Sequence, residues 1–159
     1  MLHSPLGRNR FRALVALSVA CALAFGLAGA GDHASAGERS GRRRMMLALT
    51  NHDRERADRA ELDFAGRLSR YAKRHSEAMA RRGAIFHSSE DEIRALMDGY
   101  EWSLAGENVG VGTSLEGLQE AFMDSKLHRQ NILRPVFEQA AIGIARVDGH
   151  LWVTVIFYG

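Results

Sequence analysis

The chain has 159 residues, room for one domain of ordinary size once a targeting segment is set aside, which excludes multidomain readings. Its formal charge of +2 is weighted to the front: from Met45 to Gly159 fourteen Lys and Arg face seventeen Asp and Glu, a net of −3. A folded part with that balance lacks the broad positive field needed to bind a phosphate backbone, which speaks against nucleic acid as a partner, and a hydrophobic content of 46% speaks against disorder.

In chain order, residues 1–30 read as a signal peptide: a basic start with Arg8, Arg10 and Arg12, then the apolar run Ala13 to Ala30. Ala28-Gly29-Ala30 and Ala34-Ser35-Ala36 both satisfy the small-residue rule, so cleavage falls near residue 30 or residue 36. The alternative is an uncleaved anchor, because the 18 apolar residues are just long enough to span a bilayer; a membrane is a partner only in that case. Cys21 is the only cysteine and lies inside this segment, so the exported part is expected to carry no disulfide.

Residues 31–44 (GDHASAGERSGRRR) have almost nothing to bury and read as a flexible Gly/Ser/Arg-rich arm, leaving 45–159 as the folded domain. Apolar residues at helical spacing predict helices over Met45 to about Ala57 and over Asp63 to Arg82, the second stopped by Gly83. Ser89 with Glu92 and Thr113 with Glu116 have capping-box spacing, for a helix ending at Gly99 and another running to about Met123. A further short helix spans about Ser125 to Leu133, and Pro135 bars its continuation. Ala140 to Val147 and Leu151 to Phe157 are β-rich runs flanking Asp148-Gly149, a dipeptide that favours a two-residue type I′ hairpin. Both alternating rows of the last run carry large apolar groups, as expected of a central strand covered on both faces.

Common catalytic signatures such as H-E-x-x-H, G-x-S-x-G and the Walker loop are missing. Gly110-Val111-Gly112 starts like a dinucleotide fingerprint but lacks the third glycine, and reads as loop conformation. What remains is a scattered polar set: His87-Ser88, Gly106-Glu107-Asn108 and Ser125-x-x-His128-Arg129-x-Asn131.

At those residues, together with the opening Leu49-Thr50-Asn51-His52-Asp53-Arg54, the sequence resembles the bacterial branch of the CAP superfamily, the cysteine-rich secretory, antigen 5 and pathogenesis-related proteins, also called SCP-like. The resemblance implies an α+β fold: an α-β-α sandwich whose central, mostly antiparallel sheet ends in the C-terminal hairpin. It also implies a solvent-facing cleft lined by His87, Glu107, Ser125 and His128, with Ser125 standing where animal members carry a second Glu. Phe122 stands where Trp is usual, and Ala141 where Gly is usual.

Two imidazoles and a carboxylate form a known ligand set for a divalent cation, so His87, Glu107 and His128 are candidates to bind Zn²⁺ or a similar ion weakly. The competing structural reading has His87 capping a helix end, Glu107 accepting loop N–H bonds and His128 bonding Ser125 or a carbonyl. Asn51, Arg54, Asn108, Arg129 and Asn131 are expected to fix the fold through hydrogen bonds, and His52, His75 and His150 to be structural. The expected function is a secreted, non-catalytic binding module of the extracellular space or cell envelope. Its ligand would be a lipid, sterol, glycan or peptide, or an envelope or host component. The alternative is a metal-assisted peptidase or esterase using His87, Glu107 and His128; against it, no serine stands in a nucleophile elbow.

Overall fold

Residues 36–159 are described by the structure, a computed structural model. The expected signal segment with Cys21, the cleavage option after Ala30 and the first residues of the expected arm lie outside the described residues. The elements in order are α1 (Ala36–Arg56), β1 (Asp63–Phe64), α2 (Ser69–Arg82), α3 (Glu90–Leu96), β2 (Ala105–Gly112), α4 (Leu115–Asp124), α5 (Lys126–Ile132), β3 (Gln139–Val147) and β4 (His150–Tyr158).

The sheet order is β1-β3-β4-β2, so the C-terminal hairpin supplies its two central strands, as the apolar rows of the last run predict. β3 and β4 pair antiparallel with Val147 opposite His150, and Asp148 (φ 50) and Gly149 (φ 77) form the turn in the left-handed conformation that this dipeptide favours. Two-residue alternation then sorts the side chains. Ala140, Ile142 and Ile144 of β3 and Leu151, Val153, Val155 and Phe157 of β4 join Met46, Leu118, Phe122 and Ile132 of α1, α4 and α5 in one core. Ala141, Ile156 and Tyr158 face the other way, against Leu68 and Ala72 at α2 and Met97 after α3. Helices thus cover both faces of the sheet, an α-β-α sandwich.

Several elements differ from the sequence expectation. Helix α1 begins at Ala36, so residues 36–44 of the expected arm are helical. Glu38 accepts from Arg42 one turn on at 2.6 Å, and the Arg43 guanidinium stacks 5.7 Å over the Phe64 ring, giving this polar turn partners outside its own sequence. The helix expected from Asp63 starts only at Ser69, because Asp63 and Phe64 pair in parallel with Gln139 and Ala140 as a short edge strand. Ser89 and Glu92 form the capping box, and the two bonds from Ser89 hold the Glu92 carboxyl below the usual carboxylate range, although α3 ends at Leu96, before Gly99. For α4 the cap is Ser114, accepting from Gly117 N–H, instead of Thr113 with Glu116. Gly110 and Gly112 lie in strand β2, not in a loop: a Cβ on Gly110 would come within 2.9 Å of the Phe122 ring, and one on Gly112 within 2.8 Å of Leu118. The glycines let α4 lie close on the strand.

Three polar side chains, Asn51, Arg54 and Arg129, bond to backbone groups of other segments. Asn51 brackets Leu62, donating to its carbonyl at 3.1 Å and accepting from its N–H at 2.9 Å. Arg54, fully buried, donates to four carbonyls, those of Ala60, Ile132, Arg134 and Phe137. Arg129 donates to the Met123 carbonyl across the junction of α4 and α5. Among the described residues, no helix is long and apolar enough to cross a membrane.

Candidate functional site

β2 is an edge strand, and its alternation divides two functions. Asn108 is fully buried and donates to the His128 carbonyl at 3.1 Å, while Asn131 donates to Asn108 Oδ1 at 2.9 Å and to the Glu107 carbonyl at 3.2 Å. These bonds fasten α5, and with it His128, to the strand. Glu107, the next residue, meets the segment that leaves α2.

The Glu107 side chain is 6% exposed and is met by three donors. Oε1 accepts from the Ser88 hydroxyl at 2.7 Å, and Oε2 accepts from the Ser88 N–H at 3.0 Å and from His87 Nδ1 at 2.9 Å. These contacts offset the desolvation of a nearly buried carboxylate. His87 itself is 58% exposed. With Nδ1 donating to a carboxylate, a neutral His87 keeps its lone pair on Nε2, so the ring is oriented from behind and available in front.

Behind Ser88 lies a second row. Tyr71 donates its phenol to Ser88 Oγ at 3.0 Å, and burial pushes that phenol up from its ordinary pKa, so it stays a donor. His75 bonds the Phe86 carbonyl through Nε2 at 2.9 Å, which puts the proton on that nitrogen and leaves Nδ1 facing Ser88 Oγ at 3.4 Å. The sequence gives Tyr71 no marked role and His75 only a structural one, and Ser88 stands out only by its place beside His87. The one-turn separation of Tyr71 and His75 on α2 is the only sequence signal that these two act together.

His128 is half-buried on α5, its ring 5.0 Å from that of Phe122. Burial lowers its pKa, and the proximity of His87 lowers it further. The two imidazoles therefore lie close enough for a charge on one to oppose a charge on the other. Ser125 is the last residue of α4's cap and the first of α5's, and its hydroxyl makes no capping bond. The structure thus joins His87 to Glu107 directly, and His128 feels the charge of His87. Among the described residues, no three His, Cys, Asp or Glu side chains form a ready-made cation cluster. The Glu107 oxygens already accept three bonds, so the carboxylate backs the His87 ring instead of standing free as a ligand.

Beside Glu107 opens a groove of about 280 Å³, bordered by Ser88, Ile93, Arg94, Trp102 and Leu104.

Residues 47–157 match the family described as CAP, the cysteine-rich secretory protein family. The chain belongs to this family. An uncharacterized protein of Bacillus subtilis (strain 168), YkwD, is 29% identical over an alignment of 114 residues that covers 67% of this chain and 43% of that protein. The chain therefore spans less than half the length of this curated relative. An extracellular SCP-domain protein from Bacillus anthracis superposes with a TM-score of 0.62 at 24% identity, over 79% of this chain and 44% of its own. A Staphylococcus aureus cysteine-rich secretory protein gives 0.62 at 17% identity, over 78% and 40% of the two chains. An outer surface protein from Borrelia burgdorferi gives 0.60 at 17%, over 72% of this chain and 90% of its own. At these identities the structural likeness establishes the shared fold.

Proposed function

We propose that this CAP domain is an exported binding module whose cleft at the edge of β2 takes a glycan or peptide, with a weakly held divalent cation as a polar anchor. The observation that carries the reading is the hydrogen-bonding of Ser88. Its hydroxyl proton goes to Glu107 and its oxygen accepts from Tyr71, so the serine nearest the imidazole is engaged in holding the carboxylate. The cleft presents an oriented imidazole and a second, neutral one, which suits recognition of hydroxyl and amide groups. Ligand pockets that enclose a drug-sized molecule run from about 300 Å³ upward. The adjoining groove of about 280 Å³ therefore suits one ring or side chain of a longer ligand better than an engulfed sterol. Export is supported by the signal-like front of the sequence and by relatives described as extracellular or outer-surface proteins.

A cation would be held by Nε2 of His87 and by His128, with Glu107 keeping His87 in the required tautomer. The ion would offer a Lewis-acidic point for a ligand oxygen. Calorimetric titration with Zn²⁺ at about pH 7.5, above the usual histidine pKa near 6.5, tests this. Uptake by the wild type and loss in His87→Ala and His128→Ala supports it; identical uptake by wild type and His128→Ala sinks it. Oligomers of N-acetylglucosamine and short peptides are then added with and without the ion. The hydrolase reading rests on the same His87–Glu107 pair acting as a general base. It prevails if ester or peptide turnover appears and is lost in Glu107→Gln.

A further inference from the structure

A second concavity, sharing no lining residue with the cleft, lies between the first turns of α1, the later turns of α2 and the far end of β3. It has a volume of about 380 Å³, and five cations line it: Arg39 and Arg42 from α1, Lys73 and Arg81 from α2, and Arg146 from β3. Its one lining carboxylate is Glu77, already paired with Lys73 a turn away. A smaller cavity of about 40 Å³ adjoins it, sharing Arg39, Arg42 and Lys73 and adding Arg43. The Arg43 Nε is buried and has no hydrogen-bond partner among the described residues.

The charge here is segregated from a neutral whole. Residues 36–159 carry eighteen Lys and Arg against eighteen Asp and Glu, yet six of the cations meet at these two cavities. Glu38, bonded to Arg42, and Glu77 answer two of them. Arg39 and Arg146 also interact further within the chain, so what distinguishes the site is its surplus of positive charge, not idle side chains. Assembling like charges in a concavity opposes folding, and an anion there would relieve it. Five of the six cations are arginines, whose planar forks match the oxygens of phosphate.

We propose that this cavity is an anion site for the phosphate groups of a soluble ligand, a site that goes beyond the β2 cleft. Its volume equals that of about a dozen waters, room for a short polyphosphate or a sugar phosphate. Because the charges line a concavity and not a flat face, a discrete phosphate group suits it better than a membrane plane.

The test is calorimetric titration of the purified protein with inorganic tripolyphosphate, with orthophosphate and with glucose 1-phosphate, in parallel with flotation on phosphatidylglycerol-containing vesicles. Tripolyphosphate is expected to bind at low salt and to weaken as salt is raised. Arg42→Gln with Arg81→Gln should weaken it by about tenfold or more, since each lost charge-assisted bond counts strongly. Arg39→Gln alone, at an exposed position, is expected to weaken it by a smaller factor. Arg56→Gln with Lys126→Gln, which removes the same charge elsewhere, should leave it unchanged. Failure of tripolyphosphate to bind at low salt, an equal loss in both double variants, or binding to vesicles alone would overturn the proposal.

Discussion

Replacing Arg54 by Met should cost this domain a large share of its stability. The guanidinium has 0% exposure and lies among carbonyls, with Nε 2.6 Å from Ala60 O, one terminal nitrogen 2.7 Å from Ile132 O and 3.1 Å from Arg134 O, and the other 3.0 Å from Phe137 O. One side chain thereby ties the end of α1 to the loop before β1, the end of α5 and the entry to β3. Burial, and secondarily the charge of Arg59, lower its pKa, because leaving water and meeting a like charge both disfavour the cation, a cost that the four carbonyl dipoles offset. Methionine fills similar space but leaves four carbonyls without their donor. At about 1–2 kcal/mol for each buried acceptor, the loss is about 4–8 kcal/mol, reduced by the desolvation the missing charge no longer incurs. A net loss of about 4 kcal/mol is a large share of the 5–15 kcal/mol typical of a domain. Arg54→Lys keeps the charge but reaches fewer carbonyls, and should fall between. Urea denaturation followed by circular dichroism reads both, with the slope expected to stay constant while the midpoint drops. A Met variant within about 1 kcal/mol of wild type would refute the reasoning, because it would mean those carbonyls find other donors at little cost.

Gly143→Ala should destabilise by about 3 kcal/mol or more, because the new Cβ would overlap the Ala72 carbonyl and Lys73 amide, backbone that cannot swing aside; an unchanged urea midpoint would show that α2 does not press on β3 there. His128 should titrate below the ordinary histidine range by NMR, since burial and then His87 lower its pKa. The sign follows: between the lowered folded pKa and about 6.5 the unfolded chain binds the extra proton, so stability falls as pH drops through that window and is unaffected above it, a slope that His128→Gln should flatten. A His128 midpoint at or above 6.5 would count against this placement.

The parts legible in the sequence are those fixed by local chemistry, and the parts hidden are those fixed by a neighbour. Asp148-Gly149 announces its hairpin because two consecutive left-handed residues are rarely tolerated elsewhere. Ser89 and Glu92 announce a helix start because both halves of the cap lie within one turn. β2 reads poorly, since Ala105-Gly106-Glu107-Asn108-Val109-Gly110-Val111-Gly112 has three glycines and little β propensity, and it is a strand only because β4 pairs with it along its length. Those glycines are explained by Asn131, Leu118 and Phe122 pressing on them from α5 and α4, residues distant in sequence. The site divides the same way. His87, Glu107 and His128 could be named from motifs, but the role of Ser88 could not, because it depends on the chain leaving α2 crossing the edge of β2.

That crossing explains how His87 and Glu107, twenty positions apart, come into contact. The pleat of β2 turns Glu107 toward the segment after α2 and Asn108 toward α5, so adjacent residues of one strand fix the two histidine-bearing segments from opposite sides. A shift of the β2–β4 register by one residue would exchange the two side chains, placing a carboxylate under α5 and an amide behind His87. The amide could accept one bond there but would bring no negative charge to hold the imidazole's proton on Nδ1. Glu107 and Asn108 are thus coupled through the pleat: the bond that seats α5 also sets which face the carboxylate takes.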